Sequence, residues 1–354
     1  MSRTSSDSDR NSVVSEEPAV PLREQELWAN VVPLGQDEEP ALVCPIAYTD
    51  EYREMMGYLR AVMAVGEVSQ RAFDLTSDVI WENPGHYTVW VYRKQLLAEL
   101  HLDAAAELEW LADISGRFPK NYQSWHHRES VVAMALDPEA LAGLTQDQRI
   151  CNPVLRGELR FLSQAIDADS KNFHAWSYRQ WLVRHYGVWD QECVFAATMI
   201  DQDVRNNSAW NQRYFALVQG QPPKSASLSA DTALAEVAFA VAMIARAPNN
   251  ESPWAYIVGL LLRHAPDLLH AELLPRIQAL AADPDSDCSA DVRASPFYWS
   301  TLVDIYEHHA QAQPEGSERR AELLLLARSA CDLLTSEHDP VRMKYWEFRR
   351  ASLA

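Results

Sequence analysis

Pro119-Lys120-Asn121-Tyr122-Gln123-Ser124-Trp125-His126-His127-Arg128 is the stretch that decides the fold, because variants of it return along the chain. In each copy an arginine follows a tryptophan by three positions, and in three copies an asparagine precedes that tryptophan by four. A phased pattern that returns four times marks a structural repeat. The other copies lie at residues 83–93, 171–179 and 205–213.

Apolar pairs recur at fixed distances from these tryptophans. One pair lies six and seven positions after the tryptophan, and another lies ten and eleven positions before it in several units. Two amphipathic helices joined by a short polar turn produce such a pattern. The sequence therefore predicts an all-α fold, an α-solenoid or crescent of about seven antiparallel helical hairpins.

The chain divides into three parts by composition. Residues 1–21 are acidic and serine-rich without an aromatic residue, and we expect a disordered tail because such a segment buries little apolar surface. Residues 22–47 predict an extended arm with three prolines, anchored by Trp28. Residues 48–354 are predicted to form a single helical-repeat domain, interrupted by an insertion loop at about 137–153 that carries two prolines and a glycine.

Composition argues against several classes of protein. The 354 residues carry a formal net charge of −19, which disfavours nucleic-acid binding because phosphates would be repelled. No apolar run approaches the roughly 20 residues that span a bilayer, and the polar N-terminus is unlike a signal peptide. The five cysteines are isolated and form no C-x-x-C pair, which argues against a disulfide framework and against a zinc site within this chain. We expect a cytoplasmic protein.

The turn before each tryptophan predicts a capped helix start. An asparagine stands where the N-cap belongs, and its side-chain oxygen would accept from backbone N–H groups of the first turn. Equivalent helix starts in a solenoid line up, and their partial positive charge favours an anion. A cation precedes each cap, which suggests an anion-binding rim; solvated turn residues are the alternative interpretation. The caps are Asn121, Asn172 and Asn206, and the cations are Lys120, Lys171 and Arg205.

These blocks resemble the repeats of the protein prenyltransferase α subunits, most closely the α subunit shared by protein farnesyltransferase and geranylgeranyltransferase type I. The likeness covers roughly Trp28 to Trp254 well and the rest loosely. Its most specific pieces are 119–128, 171–181 and 203–214, and the segments 46–48 and 56–62 also resemble the family.

The resemblance implies an obligate heterodimer, in which a β subunit binds the catalytic Zn²⁺ and most of the isoprenoid. The reaction it implies moves a farnesyl or geranylgeranyl group from its diphosphate to the cysteine thiol of a C-terminal Cys-a-a-X (CaaX) motif. Mg²⁺ would assist farnesyl transfer. The implied partners are thus a β subunit, a prenyl diphosphate and CaaX-protein C-termini, with neither nucleic acid nor stable membrane insertion.

The family pattern also implies site residues, taken position by position. Lys120 and Tyr122 match the catalytic lysine and tyrosine at the diphosphate, and Lys120 would stabilise the leaving group. His174 matches a diphosphate-binding histidine, and Asn172 is a weaker candidate for the same role. Gln123 and Tyr87 match peptide-binding residues, Gln123 at the terminal carboxylate. The chain departs from the pattern at Phe173, where the family usually has tyrosine, and at His86, where asparagine is more usual.

Other readings of the same residues remain open. A tetratricopeptide-like scaffold that binds peptides is the non-enzyme alternative, and the α subunit of the geranylgeranyltransferase that modifies Rab proteins is the second enzyme. We predict that the repeated tryptophans pack in the core. We predict that His126 and His127 are structural or interface residues, not a metal pair, because adjacent residues point apart on a helix. We predict that four arginines are buried partners of carboxylates from neighbouring repeats: Arg93, Arg128, Arg179 and Arg213.

Overall fold

The computed structural model describes residues 20–36, 46–220, 228–285 and 287–353, and these residues contain seventeen α-helices and no strand. The predicted disordered tail lies almost wholly outside them. The all-α prediction is confirmed. The helices are α1 Asp50–Ala64, α2 Gln70–Glu82, α3 Tyr87–Glu99, α4 Ala104–Arg117, α5 Tyr122–Ala135, α6 Gln146–Ile150, α7 Pro153–Ala168, α8 Phe173–Tyr186, α9 Glu192–Gln202, α10 Asn207–Gln219, α11 Ala230–Arg246, α12 Glu251–His264, α13 Leu274–Ala282, α14 Ser289–Ala294, α15 Pro296–Gln311, α16 Glu318–Leu333 and α17 Met343–Ser352.

The helices group into two compact units, which meet in sequence at Leu136 and Asp137. The first unit holds α1 followed by the hairpins α2–α3 and α4–α5. The second holds α6 and the hairpins α7–α8, α9–α10 and α11–α12, and then α13 and α14 with α15, and α16 with α17. The expected number of hairpins is therefore reached within the described residues.

The arm before α1 is anchored in the first unit. Trp28 lies in a 3₁₀ turn, is 3% exposed and meets Tyr58 edge-on at 5.2 Å between ring centroids. The N–H of Leu34 donates to the carbonyl of Gly57, and a Cβ on Gly57 would lie 3.1 Å from the Cβ of Pro33. Glycine is needed in α1 at this point because the arm runs so close to the helix.

The segment predicted as an insertion loop contains ordered helical structure. After a 3₁₀ turn at Pro138–Leu141, Thr145 and Gln148 form a capping box that starts α6. Gln146 accepts the N–H of Trp189, and Arg149 donates to the carbonyl of Tyr186 at 3.0 Å. These bonds hold α6 against the connection between α8 and α9. A helix of five residues is too short to produce a readable apolar period.

A tryptophan fixes the turn inside most hairpins. In six of the described hairpins the indole N–H donates to the carbonyl six residues earlier, at 2.7 to 3.0 Å. Five of the six tryptophans are buried and Trp299 is half-buried, which confirms the packing role predicted for the first four of them. The bonds tie each second helix to the turn that precedes it, so the helix start has a fixed position. The six residues are Trp90, Trp125, Trp176, Trp210, Trp254 and Trp299.

Candidate functional site

Asparagine caps begin the second helices, as the sequence predicts. The side-chain oxygen of Asn121 accepts the N–H of Ser124 at 3.1 Å, and that of Asn172 accepts the N–H of His174 at 3.0 Å. Asn206 accepts from α10 in the same way. Each cap satisfies a backbone donor that a helix start otherwise leaves unpaired.

The caps are themselves held by the preceding hairpin. The carbonyl of Ser170 accepts both the indole N–H of Trp176, at 3.0 Å, and the side-chain amide of Asn206, at 2.9 Å. The carbonyl of Val204 does the same for Trp210 and Asn250. One carbonyl therefore serves two consecutive hairpins. Asn206 and Asn250, which form both kinds of bond, are buried and face the protein.

The residue after each cap is turned outward. Tyr87, Tyr122 and Phe173 are each the first residue of a second helix and are 67%, 64% and 75% exposed. The family-matched tyrosines are thus large aromatic groups on the surface. The three rings are exposed aromatic groups at equivalent positions of the repeat.

The remaining predicted site residues lie at the same helix starts. Lys120 is exposed in the turn before α5, and Gln123 is half-buried one residue after Tyr122. His174 is half-buried and packs edge-on against Phe173 at 5.7 Å. Asn172 differs from these residues, because it is 3% exposed and its oxygen faces the backbone of α8. It is placed to position His174.

The predicted row of cations is not uniform. Lys171 forms an ion pair with Asp203 of the next hairpin at 3.5 Å, with both side chains substantially exposed. Its charge is therefore partly neutralised, although an exposed pair of this kind is weak. Arg205 is exposed before the cap of α10. The solvated-residue interpretation thus suits Lys171 best.

Within each unit, buried carboxylates join neighbouring hairpins. Arg93 forms two bonds of 2.7 Å with Glu107 of the next hairpin. Arg179 binds Glu192 at 2.9 and 2.7 Å, and Arg213 binds Glu236 in the same bidentate form. The predicted role is confirmed for these three arginines. We call each such arrangement a clasp.

Each clasp has a third residue that binds the carboxylate, and an aromatic ring that stacks on the guanidinium group. The second residue after the next tryptophan also binds the carboxylate: His127 binds Glu107, Gln212 binds Glu192 and Tyr256 binds Glu236, at 2.6 to 2.8 Å. The arginines stack on aromatic rings three positions after the glutamate, with Arg93 over Trp110 at 3.7 Å and Arg179 over Phe195 at 3.6 Å.

Sequence reasoning missed the clasp glutamates, although a signal was present. A glutamate lies 18 positions before four of the tryptophans, at Glu107, Glu158, Glu192 and Glu236. All four are buried. A glutamate at a fixed distance from each of these tryptophans occupies the same position in each of these repeats. Glutamate is rarely buried without a partner, so this position could have been paired with the repeated arginine.

His127 is the one histidine among the three clasps. Burial lowers the pKa of His127, and the hydrogen bond to Glu107 opposes that effect only in part. Burial raises the pKa of Glu107, yet the bonds from His127 and Arg93 bring it below its ordinary value. His127 is therefore a neutral donor to an ionised carboxylate, which confirms its structural role. His126 next to it is exposed.

Neither a metal site nor a membrane span is built from the described residues. No three His, Cys, Asp or Glu side chains in the described part of the chain converge as metal ligands, whereas zinc takes three or four. Among the helices in the described ranges, none is long and apolar enough to cross a bilayer.

Comparison with known proteins places these hairpins in a recognised repeat. The model of the protein prenyltransferase alpha subunit repeat matches residues 69–100, 104–135, 155–186 and 189–219, which are the hairpins from α2 to α10. The chain is 34% identical to protein farnesyltransferase/geranylgeranyltransferase type-1 subunit alpha of Pisum sativum, over 97% of this chain and 98% of that protein.

Two further comparisons separate the alternatives. A solved structure described as Candida albicans protein geranylgeranyltransferase-I complexed with GGPP superposes with a TM-score of 0.72 at 28% identity, over 92% of this chain and 98% of its own. Geranylgeranyl transferase type-2 subunit alpha of Bos taurus is 27% identical, but over 57% of this chain and 35% of that protein. The likeness to the type-1 subunit is therefore the more complete.

Proposed function

The chain belongs to the family of protein prenyltransferase α subunits, and on that premise we propose that it is the α subunit of a protein farnesyltransferase/geranylgeranyltransferase type I. The enzyme would transfer a farnesyl or geranylgeranyl group from its diphosphate to the cysteine thiol of a C-terminal CaaX motif. The observation that carries the proposal is the nearly full-length similarity to the plant type-1 subunit. The type-2 alternative is weaker because its match covers about half of this chain. The tetratricopeptide-like scaffold is weaker because four hairpins match the prenyltransferase repeat.

Charge development in the reaction defines what this chain would supply. The bond between C1 of the isoprenoid and the diphosphate oxygen breaks while the thiolate sulfur bonds to C1, and the departing diphosphate gains negative charge. A fixed cation and hydrogen-bond donors aimed at that oxygen lower the barrier. Lys120 is exposed in the turn just before the start of α5, where backbone N–H groups also favour an anion.

We assign the other diphosphate contacts by the same geometry. Tyr122 presents its phenol outward, and it would donate its O–H to a phosphate oxygen. His174 stands at the start of α8, and the family pattern assigns its ring N–H to the diphosphate. Asn172 would hold the backbone beneath His174 through its cap bonds and would not touch the diphosphate. The exposed ring of Phe173, which has no hydroxyl, would contribute apolar surface alone.

The peptide would bind beside the diphosphate. Gln123 follows Tyr122 on α5 and is half-buried, so its amide would donate to the terminal carboxylate of the CaaX peptide from a restrained position. Tyr87 presents an exposed aromatic side chain at the start of α3, where it would contact the last residue of the peptide.

Metals and partner complete the proposal. Zinc supplies the activated thiolate in such a reaction, and the described residues do not fit a zinc site, so we assign zinc to the β subunit. Mg²⁺ would accompany the diphosphate during farnesyl transfer. The exposed aromatic helix starts would face the β subunit and the substrates. We place the heterodimer in the cytoplasm.

A transfer assay tests this function. The chain would be purified alone and after co-expression with a candidate β subunit, and each sample given a prenyl diphosphate and a labelled CaaX peptide. We expect transfer, together with about one bound zinc, only in the co-expressed pair. A chain that binds no β subunit and supports no transfer with any of them would refute the proposal.

A further inference from the structure

A cleft of about 430 Å³ opens in the second unit, between α7 and the connection from α8 to α9. Its volume lies in the range of small-molecule sites, roughly 300–1,000 Å³. The residues that we assign to prenyl transfer do not line it. Its polar lining includes three arginines: Arg156 and Arg160 on the exposed side of α7, and the buried Arg179 of α8.

Arg179 differs from the other arginines of the repeat at one nitrogen. In Arg93, Arg128 and Arg213 the Nη1 group donates to the carbonyl twenty residues earlier, at 3.0 to 3.3 Å. The equivalent carbonyl for Arg179 is that of Leu159, which accepts the hydroxyl of Ser163 at 2.9 Å. Nη1 of Arg179 is buried and has no acceptor among the described residues, in a side chain only 4% exposed.

An unpaired guanidinium N–H in a lined cleft points to a ligand. Leaving a buried donor without a partner costs roughly 1–3 kcal/mol, more for a charged group. An oxyanion in the cleft would supply the missing acceptor. The carboxylate of Glu192 also lines the cleft, but both its oxygens are already bonded to Arg179, and Gln212 shares one of them.

The charges at the mouth of the cleft favour an anion as well. Arg156 and Arg160 lie four residues apart on the exposed side of α7, a spacing at which like charges repel each other on a helix. Glu192 is the one acid that lines the cleft, and Arg179 neutralises it. Two positive charges therefore remain in excess, in a chain whose net charge is −19.

We propose that this cleft binds a phosphomonoester that carries an apolar group. A phosphate dianion matches two outer guanidinium groups and one inner N–H, because guanidinium groups bind phosphate oxygens in bidentate form. The other walls are apolar, formed by Leu159, Val194 and Phe195 among others, and they would receive the substituent. The source of the phosphomonoester is either a soluble metabolite or a lipid headgroup.

Calorimetric titration of the full chain with its β subunit tests the proposal, using hexyl phosphate, inorganic phosphate and hexanol as probes. We expect hexyl phosphate to bind at least tenfold more tightly than inorganic phosphate, and hexanol not to bind. The double variant Arg156→Ala/Arg160→Ala should weaken hexyl phosphate at least tenfold, whereas Arg263→Ala, an exposed arginine of α12 outside the cleft, should change it less than twofold. Lys120→Ala should leave binding unchanged, which separates this site from the proposed catalytic one.

Vesicles with and without phosphatidic acid identify the source, because arginine-dependent binding to the acidic vesicles alone would assign a lipid. The proposal is overturned if no saturable hexyl phosphate binding occurs at 10 mM, or if the double variant binds it as wild type does.

Discussion

The exposed starts of the second helices and the buried clasps differ in how strictly their residues repeat. The clasps use arginine and glutamate each time, at Arg93 with Glu107 and at Arg179 with Glu192. The exposed first residue changes from tyrosine in α5 to phenylalanine in α8 and asparagine in α10. A constant interior holds helix starts in equivalent positions, while the exposed residues are free to differ.

The two regions also differ in what a substitution should change. A clasp residue away from the proposed cleft, such as Glu236, touches only the protein, so its loss should lower the free energy of unfolding. A rim residue such as Lys120 is exposed in a turn, so its loss should alter activity and leave folding intact.

Breaking a clasp should have the largest effect. Glu236→Gln keeps the shape but leaves the Arg213 guanidinium, 9% exposed, without its anion. Removal of one partner from a buried pair costs about 3–5 kcal/mol. Urea unfolding would measure the loss. Glu347→Gln, at an exposed ion pair of α17, is the control and should cost less than about 1 kcal/mol; equal effects of the two would show that the clasp is not a stabilising element.

Lys120→Ala should produce the next largest change, in catalysis. Loss of one group that stabilises a developing anion lowers turnover by about 10²–10³-fold, or roughly 2.7–4 kcal/mol of barrier. The melting temperature should not move. Single-turnover transfer by the heterodimer measures the effect, with the highly exposed Lys344→Ala as a control. Unchanged turnover in the Lys120 variant would remove this residue from the mechanism.

Asn206→Ala tests the junction between the two regions. The substitution removes a cap and the bond to the carbonyl of Ser170, so we expect a loss of about 1–2 kcal/mol in unfolding free energy. Asn207→Ala changes the exposed neighbour on the same helix and should be nearly neutral. If both variants unfold alike, the shared carbonyl does not stabilise the hairpins.

His127→Gln should have the smallest effect, visible only as a pH dependence. Because burial lowers the pKa of His127 below 6.5 in the folded chain, the unfolded chain binds the extra proton first as pH falls. This histidine's contribution to stability is therefore complete above pH 6.5 and is lost on acidification below it. Gln212 shows that a glutamine can bind a clasp carboxylate. Because glutamine does not titrate, the His127→Gln variant should lose less unfolding free energy than wild type between about pH 7.5 and 5.5. The control His126→Gln, at an exposed residue, should lose as much as wild type.

The sequence was sufficient for the features that repeat. Trp and Arg at constant spacing gave the hairpins, the asparagine caps and the burial of Arg93, Arg179 and Arg213. The helix in the segment 137–153 was not predicted because a helix of five residues is too short to show an apolar period. The glutamate partners of these arginines were not predicted, because the number of residues from arginine to glutamate differs between repeats, at 14, 13 and 23.

In the candidate site, too, the features that follow from the repeat were predictable and the others were not. Exposure of Tyr87, Tyr122 and Phe173 follows from their place after a cap. The burial of Asn172 also follows from its place as a helix cap. The family resemblance, by contrast, suggested that Asn172 contacts the diphosphate. The unpaired nitrogen of Arg179 had no signal in the sequence, because it depends on how one side chain lies in the folded cleft.

The carbonyl shared by two hairpins gives the chain a direction. Ser170 lies before Asn206, and Val204 lies before Asn250, so each acceptor is made earlier than the donor that needs it. As the polypeptide leaves the ribosome, N-terminal end first, a finished turn already offers the oxygen on which the next helix begins. Loss of a late hairpin leaves the earlier caps complete, whereas loss of an early one removes an acceptor from its successor. Each hairpin therefore depends on one that is synthesised before it.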